Sequence, residues 1–326
     1  MQISVIIPTY NRADLLPRTL ASIQAQTLSP AEIIVVDDGS TDSTPALLAR
    51  LGPAIRALRV PNGGDLVARN AGLRAAGGDL VAFCDSDDLW RPEFLAEMVR
   101  FRQAEPGLHA AYGDFVIVRD DIWEQTGKFA AAPPGFWTGL RPAGPGRGVF
   151  DHPVFPRLLE FQPFFTSCLV ADRRWLLSVG GWDCSVGRLL AGDFATALRL
   201  AEHAPLGILQ APLVGIRKHA HNISGNDRAT ALGEALVLER VLQTHPAAAA
   251  HAEAIRASIA LRRAQALASA FADQDHRAVH DIFHLLPPER RRGRTWLKHA
   301  VATLPPGPRA ILARTLLAAG SAKARW

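Results

Sequence analysis

Four short strand-like runs punctuate the first 84 residues, largely apolar at positions 3–7, 33–36 and 80–84 and mixed near 56–60, and each is followed by polar residues. Runs of this length fit strands covered on both faces, as in parallel α/β sheets. Between them apolar positions recur at helical spacing. Leu16, Leu20 and Ile23 follow the first run, residues 43–51 the second, and a segment through Arg69, Asn70 and Leu73 the third. Asp42 or Ser43 is placed to cap the helix that follows the second run. Strands alternating with helices across short connections predict a mostly parallel, Rossmann-like sheet with right-handed crossovers, flanked by helices.

Ligands of such sheets collect at the carboxyl ends of the strands. Three of the four strand ends carry polar cargo: Thr9-Tyr10-Asn11-Arg12, Asp37-Asp38-Gly39-Ser40-Thr41-Asp42, and Asp85-Ser86-Asp87-Asp88. If the last strand stays extended, Asp85 and Asp87 share one side, because side chains alternate with period two. Two carboxylates so placed could face one divalent ion and its nucleotide, since magnesium and manganese favour oxygen ligands. The plainer alternative is an acidic turn that ends a strand and caps the helix beginning near Pro92.

Four segments together resemble the inverting family 2 glycosyltransferases of GT-A fold: Val5-Ile6-Ile7-Pro8-Thr9-Tyr10-Asn11-Arg12, Ile34-Val35-Val36-Asp37-Asp38-Gly39-Ser40-Thr41-Asp42, Ala68-Arg69-Asn70-Ala71-Gly72 and Phe83-Cys84-Asp85-Ser86-Asp87-Asp88. The resemblance runs to about Ser224. It implies that Pro8, Tyr10 and Asn11 line a nucleotide pocket, that Asp38 hydrogen-bonds the base, that Arg69 sits near the nucleotide, that Asp85 lies by ribose and diphosphate, and that Asp87 binds Mn2+ or Mg2+. The plain readings are a strand stop at Pro8, turn-shaping by Asp37 and Asp42, and an exposed helix charge at Arg69.

In the family an acidic residue, usually written Glu-Asp, opens a later helix and serves as catalytic base. Here the pair is Gly192-Asp193, which leaves Asp193 for that role, or for a simple N-cap. Arg217-Lys218-His219-Ala220-His221-Asn222-Ile223-Ser224 resembles the Arg-x-His-x-x-Asn-x-Ser segment that closes family catalytic domains. His219 would then reach the diphosphate or the metal, with His221 a surface loop residue. Between these landmarks a helix is expected over residues 92–102. Asp114 reads as a turn residue ahead of a strand through Val118, with a site role the alternative. The Pro-, Gly- and aromatic-rich stretch 129–163 reads as a long functional loop whose rings stack on sugars or bury against the sheet.

The remaining hundred residues are Ala-rich with helical apolar pairs, Leu232 with Leu236, Ile255 with Ile259, Leu267 with Phe271, and Val279 with Ile282, Phe283 and Leu286. Asp273-Gln274-Asp275 marks a hairpin turn. A catalytic domain over 1–226 and a helical extension over 227–326 follow. Net charge is +5, yet residues 287–326 alone carry +8. Basicity this local argues against a nucleic-acid partner and for contact of Arg290-Arg291-Arg292-Gly293-Arg294-Thr295-Trp296-Leu297-Lys298 with an anionic membrane, or for a solvated tail. No apolar run reaches about 18 residues, residues 3–7 are too short for a secretion leader, and Cys84, Cys168 and Cys184 lack metal spacing. A cytoplasmic protein is expected, with peripheral attachment on the inner face of the membrane the alternative.

The function implied is metal-dependent, inverting transfer of a sugar from a nucleotide-sugar donor, UDP-linked by expectation, to a glycan or lipid-linked acceptor in cell-surface polysaccharide synthesis. A non-catalytic nucleotide-sugar or glycan-binding module is the alternative. A sugar nucleotidyltransferase lacks its Gly-rich phosphate loop here, and a dinucleotide oxidoreductase lacks Gly-x-Gly-x-x-Gly after the first strand.

Overall fold

The computed structural model describes residues 1–219, 222 and 226–323. Ala220, His221, Ile223 and Ser224 of the Arg217-to-Ser224 motif lie outside the described residues. The chain divides into two compact units, residues 1–188 with 192–220, and residues 189–191 with 221–326.

In the first unit, β1 (Ile3–Thr9), α1 (Leu16–Gln24), β2 (Glu32–Asp37), α2 (Thr44–Leu51), β3 (Arg56–Arg59), α3 (Asp65–Ala75) and β4 (Leu80–Phe83) alternate as the apolar runs predict. Every residue of β1 and β4 is buried, which explains why these strands read as continuous apolar runs rather than alternating ones. Then come β5 (Leu89–Trp90), α4 (Phe94–Ala104), β6 (Ala110–Arg119), β7 (Ile122–Trp123), β8 (Leu140–Pro142), β9 (Arg147–Phe150), α5 (Phe155–Leu158), β10 (Leu169–Asp172), α6 (Arg173–Ser178), α7 (Asp193–Leu200) and β11 (Leu206–Arg217). One sheet runs in the order β3-β2-β1-β4-β10-β6-β11-β9-β8. Its first four strands are parallel; β10 joins antiparallel to both β4 and β6, and β11 pairs parallel with β6.

Three local expectations change. The strand ends at Phe83, and the Asp88 N–H donates to the Asp85 carbonyl at 3.0 Å, so Asp85 to Asp88 form a turn and strand alternation does not set their directions. Asp114 lies inside β6, not in a turn; its buried carboxylate accepts from the N–H groups of Phe115 at 2.8 Å and Phe129 at 2.9 Å. The stretch 129–163 contains the β8–β9 hairpin, with β9 paired to β11, and α5. Its rings Phe129, Phe136 and Phe150 are buried and pack on one another through Trp137, so they build the core.

The second unit holds α8 (Asp227–Thr244), α9 (Ala248–Ala272), α10 (His276–Leu285), α11 (Gly293–Ala302) and α12 (Pro306–Lys323). Leu267 and Phe271 of α9 meet Val279, Ile282 and Phe283 of α10 and Val301 of α11 in one apolar cluster. Burying each large side chain there contributes about 1.5–3 kcal/mol. The turn at Asp273 to Asp275 is as expected, and Asp275 caps α10 by accepting from the Ala278 N–H at 3.0 Å. Arg262, buried in α9, pairs with Glu234 of α8 at 2.6 Å.

Candidate active site

A polar framework gathers at the carboxyl ends of β1, β2 and β4. Asn11, at φ +51°, spans the first two loops. Its N–H donates to Ser40 Oγ at 2.9 Å, while its Oδ1 accepts from the Thr41 N–H at 2.8 Å and the Asp42 N–H at 3.2 Å. An asparagine tolerates this left-handed backbone because its short amide can bond locally. Asp37 accepts from the Ser40 N–H at 2.9 Å, and Asp42 accepts from the Thr44 N–H at 2.9 Å, two residues into the α2 entry. Asp38 is buried and accepts from the N–H groups of Gly63 at 2.7 Å and Gly64 at 2.9 Å, fixing the turn before α3. Pro8 is buried in β1, while Tyr10 stands exposed at the mouth. Thr9 Oγ1 is buried with no hydrogen-bond partner among the described residues.

Arg69 projects from α3 and is 4% exposed, so it is not the surface charge of the plain reading. Its guanidinium pairs with Asp85 at 2.7 Å and with Asp65, one helical turn back, and lies 4.9 Å from the Trp182 ring centroid. The neighbouring residues of the Arg-Asn-Ala-Gly segment hold it there. Asn70 exchanges hydrogen bonds with the Trp182 backbone, both at 2.8 Å, and Gly72 lets α3 press on β1, since a Cβ at this position would lie 2.4 Å from Ile6 Cγ2. Gly181, at φ +63°, is similarly confined by Asn70.

The acidic turn splits its three carboxylates among different partners. Asp85 faces Arg69. Asp87 faces His219, with Oδ2 3.0 Å from Nε2, and Arg12 at 3.8 Å. Asp88 points inward, accepting from Ser167 Oγ at 2.5 Å and the Arg217 N–H at 3.2 Å. The Arg217 guanidinium donates to the carbonyls of Asp87 and Leu15, tying β11 to the turn. Burial pushes the Asp88 carboxyl well above the usual range, and Asp87 and Asp85 add to the rise. Burial also raises Asp85, with Arg69 opposing and Asp87 reinforcing. So much negative charge in one turn favours a cation. Asp87 and His219 supply one oxygen and one nitrogen 3.0 Å apart, close to the ~3.0 Å between neighbouring ligands at about 2.1 Å from an octahedral ion. These residues fit manganese, which accepts imidazole, or magnesium, and leave most positions for water and phosphate.

Asp193 is the first residue of α7. Gly192 occupies the cap position and no side chain caps this end, so the N-cap alternative for Asp193 does not hold. Its carboxylate accepts from Thr166 Oγ1 at 3.4 Å. Burial pushes it up to about 6, against the pull of Arg69, with Asp65 and Asp85 adding to the rise. Arg69 thus interacts with Asp65, Asp85 and Asp193 together.

The residues at 8, 10, 11, 38, 69, 85, 87 and 219 converge on this end of the sheet. Sequence reasoning passed over Asp65, Thr166, Ser167, Trp182 and the scaffold roles of Asp88 and Arg217. Asp65 could have been found from its i, i+4 spacing to Arg69. Thr166 and Ser167 carry no local signal.

Residues 4–144 match the family model described as Glycosyl transferase family 2. The succinoglycan biosynthesis protein ExoW of Rhizobium meliloti is 42% identical over 210 residues, covering 54% of this chain and 66% of that protein. Across eight curated relatives that match, the aligned stretch spans from 24% to 66% of their length. Among solved structures, S. aureus TarS in complex with UDP superposes with a TM-score of 0.58 at 16% identity, over 97% of this chain and 90% of that one. The mannosyltransferase PcManGT from Pyrobaculum calidifontis, in complex with GDP-Man and Mn2+, does so with a TM-score of 0.55 at 20% identity, over 98% and 86%. At those identities the likeness speaks to the fold. With the three strand-end motifs and the Arg69 segment of α3 gathered at one end of the sheet, the sheet order above and the family match, the chain belongs to glycosyl transferase family 2 and has the GT-A fold.

Proposed function

We propose that this chain is an inverting, divalent-cation-dependent glycosyltransferase that moves a sugar from a nucleotide-sugar donor to a hydroxyl of a glycan or lipid-linked acceptor. The observation that carries the reading is the buried Arg69, which interacts with both the donor-side carboxylate Asp85 and the candidate base Asp193. One guanidinium thereby brings the two halves of a displacement into one site.

Asp193 takes the proton from the acceptor hydroxyl as its oxygen attacks the anomeric carbon. The bond to the diphosphate breaks on the opposite face, and its electron pair leaves with the phosphate oxygen. A carboxylate raised to about 6 is ionised at neutral pH and basic enough to accept that proton. Thr166 orients it. Arg12 lies beside Asp87, where it can bind the diphosphate. The cation, when bound by Asp87 and His219, would neutralise charge on the leaving diphosphate. Tyr10 is exposed at the mouth, free to stack on the base, while the orphaned Thr9 Oγ1 and Arg69 Nε offer unfilled hydrogen bonds within the crevice. Asp38 can keep accepting bonds, because its two Gly63 and Gly64 donors fill half of about four lone-pair sites.

UDP as the nucleotide and polysaccharide assembly as the setting draw support from the TarS complex and from the succinoglycan relative. Contact with an anionic membrane draws support from the second unit. Arg290, Arg292 and Arg294 are exposed beside Trp296 and Leu297, which are 55% and 38% exposed. Among the described residues no helix is long and apolar enough to cross a membrane. Thermal stabilisation by a panel of nucleotide sugars, with and without manganese, followed by release of free nucleoside diphosphate on adding acceptor glycans, tests the assignment. Stabilisation by one donor class that requires the cation, with acceptor-dependent release, is expected. Stabilisation without any release would leave a binding module in its place.

A further inference from the structure

The helical unit carries a cluster of imidazoles that sugar transfer does not use. His280 and His284 are four residues apart on α10 and so share one face, and His299 comes from α11. One ligand nitrogen from each of the three lies within 4.8 Å of the other two, and His280 Nδ1 is 3.1 Å from His299 Nε2. Among the described residues no other three His, Cys, Asp or Glu side chains bring ligand atoms together in this way. The third ring is held firmly. His299 stacks on Phe283 with centroids 3.9 Å apart and planes 8° from parallel, and Phe283 belongs to the apolar core. His280 and His284 are exposed.

We infer that His280, His284 and His299 form a binding site for a borderline transition-metal cation of the zinc or cobalt type, which ties α10 to α11. Imidazole nitrogen suits these ions, whereas calcium and magnesium want oxygen ligands that this trio lacks. In a tetrahedral zinc site, nitrogens at 2.0–2.1 Å from the ion sit about 3.3 Å apart. The His280–His299 pair is already near that separation, and side-chain rotation of the two exposed rings closes the rest. Three protein ligands leave one position for water. The neutral ring is the form that binds metal. Arg290, Arg291, Arg292 and Arg294, in and beside the connection between the helices, repel a cation, so selection rests on the nitrogen ligands and not on the local field. A bound ion would fix both ends of the segment 286–298 that presents the exposed arginines.

Titrating the full chain with Co2+ and following visible absorption tests this, with Zn2+ then added in competition. One equivalent of Co2+ with tetrahedral-type absorption, displaced by Zn2+, is the expected result. His280→Gln and His284→Ala change exposed side chains, and circular dichroism verifies their fold. Each should weaken binding by at least about 100-fold, since even groups that only support a metal ligand are worth 10- to 100-fold. Asp87→Ala, which removes the other candidate cation ligand, should leave the absorption intact. Absence of a saturable band overturns the site, as does a band that survives both histidine changes or that disappears with Asp87→Ala alone.

Discussion

Asp193→Asn separates chemistry from architecture in a single substitution. The amide keeps the side chain's size and can still accept from Thr166, but it removes the base. Loss of general-base catalysis costs about 10²- to 10⁴-fold in turnover, or about 2.7–5.5 kcal/mol of barrier, while donor affinity should persist. Stability should move the other way. The Asp193 carboxyl is raised from 3.8 to about 6, so the folded state holds an ionised group it disfavours by about 3 kcal/mol at 1.36 kcal/mol per unit. Because Asp193 is only half-buried, about 1–2 kcal/mol is the realistic gain on neutralising it. The sign follows from linkage: a raised carboxyl destabilises the fold above its folded value and costs nothing below its unfolded one. The gain in melting temperature should therefore be full at pH 8, shrink as pH falls through about 6, and vanish near pH 4. Turnover by the unmodified protein should fall over the same acid limb. Nucleoside diphosphate release and thermal melts across pH 4–8 measure both quantities. A variant with near-normal turnover, or one that is less stable at pH 8, would refute the assignment of Asp193 as base.

Other substitutions probe the remaining parts. Asp87→Ala should abolish cation-dependent donor binding measured by calorimetry while leaving the circular dichroism spectrum unchanged, and His219→Ala should weaken the same binding less severely. Arg69→Met should destabilise by about 3–5 kcal/mol in chemical denaturation, because three carboxylates lose their shared cation; a small change would mean the cluster is solvent-screened. Gly72→Val should destabilise the fold by about 1–3 kcal/mol through overpacking against Ile6, seen as a lower melting temperature. Reversing Arg290, Arg292 and Arg294 to Glu should release the chain from anionic liposomes in co-sedimentation, since each arginine adds about 1 kcal/mol of salt-sensitive attraction.

The parallel half of the sheet is legible because strands buried on both faces are mainly apolar, and β1, β2 and β4 are, apart from Ser4 and the terminal Thr9, Glu32 and Asp37. Edge strand β3, Arg-Ala-Leu-Arg with mostly exposed residues, is recognisable chiefly from its place in the alternation. The hairpin β8–β9 is hidden because its strands are three and four residues long and rich in Pro and Gly, so the pairing with β11 that stabilises them leaves no periodicity to read. The motif residues are legible because local turns concentrate them. Partners such as Ser167, which reaches Asp88 from 79 residues away, depend on β10 inserting antiparallel between β4 and β6, a topology that no local pattern encodes.

That insertion also explains how the site can be rigid and charged at once. Asp88 is buried, and a buried carboxylate needs fixed partners to avoid a large desolvation penalty. The segment leading into β10 brings Thr166 and Ser167, and β11 brings Arg217, so the partners of Asp88 come from both sides of β6. Ser167 also accepts from the Asp85 N–H at 3.0 Å, and Arg217 holds the Asp87 carbonyl. The same two residues that satisfy the inward carboxylate, Ser167 by its hydroxyl and Arg217 by its backbone N–H, thus set the backbone from which Asp85 and Asp87 project. Thr166, one residue earlier, reaches Asp193. Donor-side turn and candidate base therefore share one support, the three residues 166–168 ahead of β10. A change there should disturb donor binding and transfer together, whereas Asp87 and Asp193 can be altered one at a time.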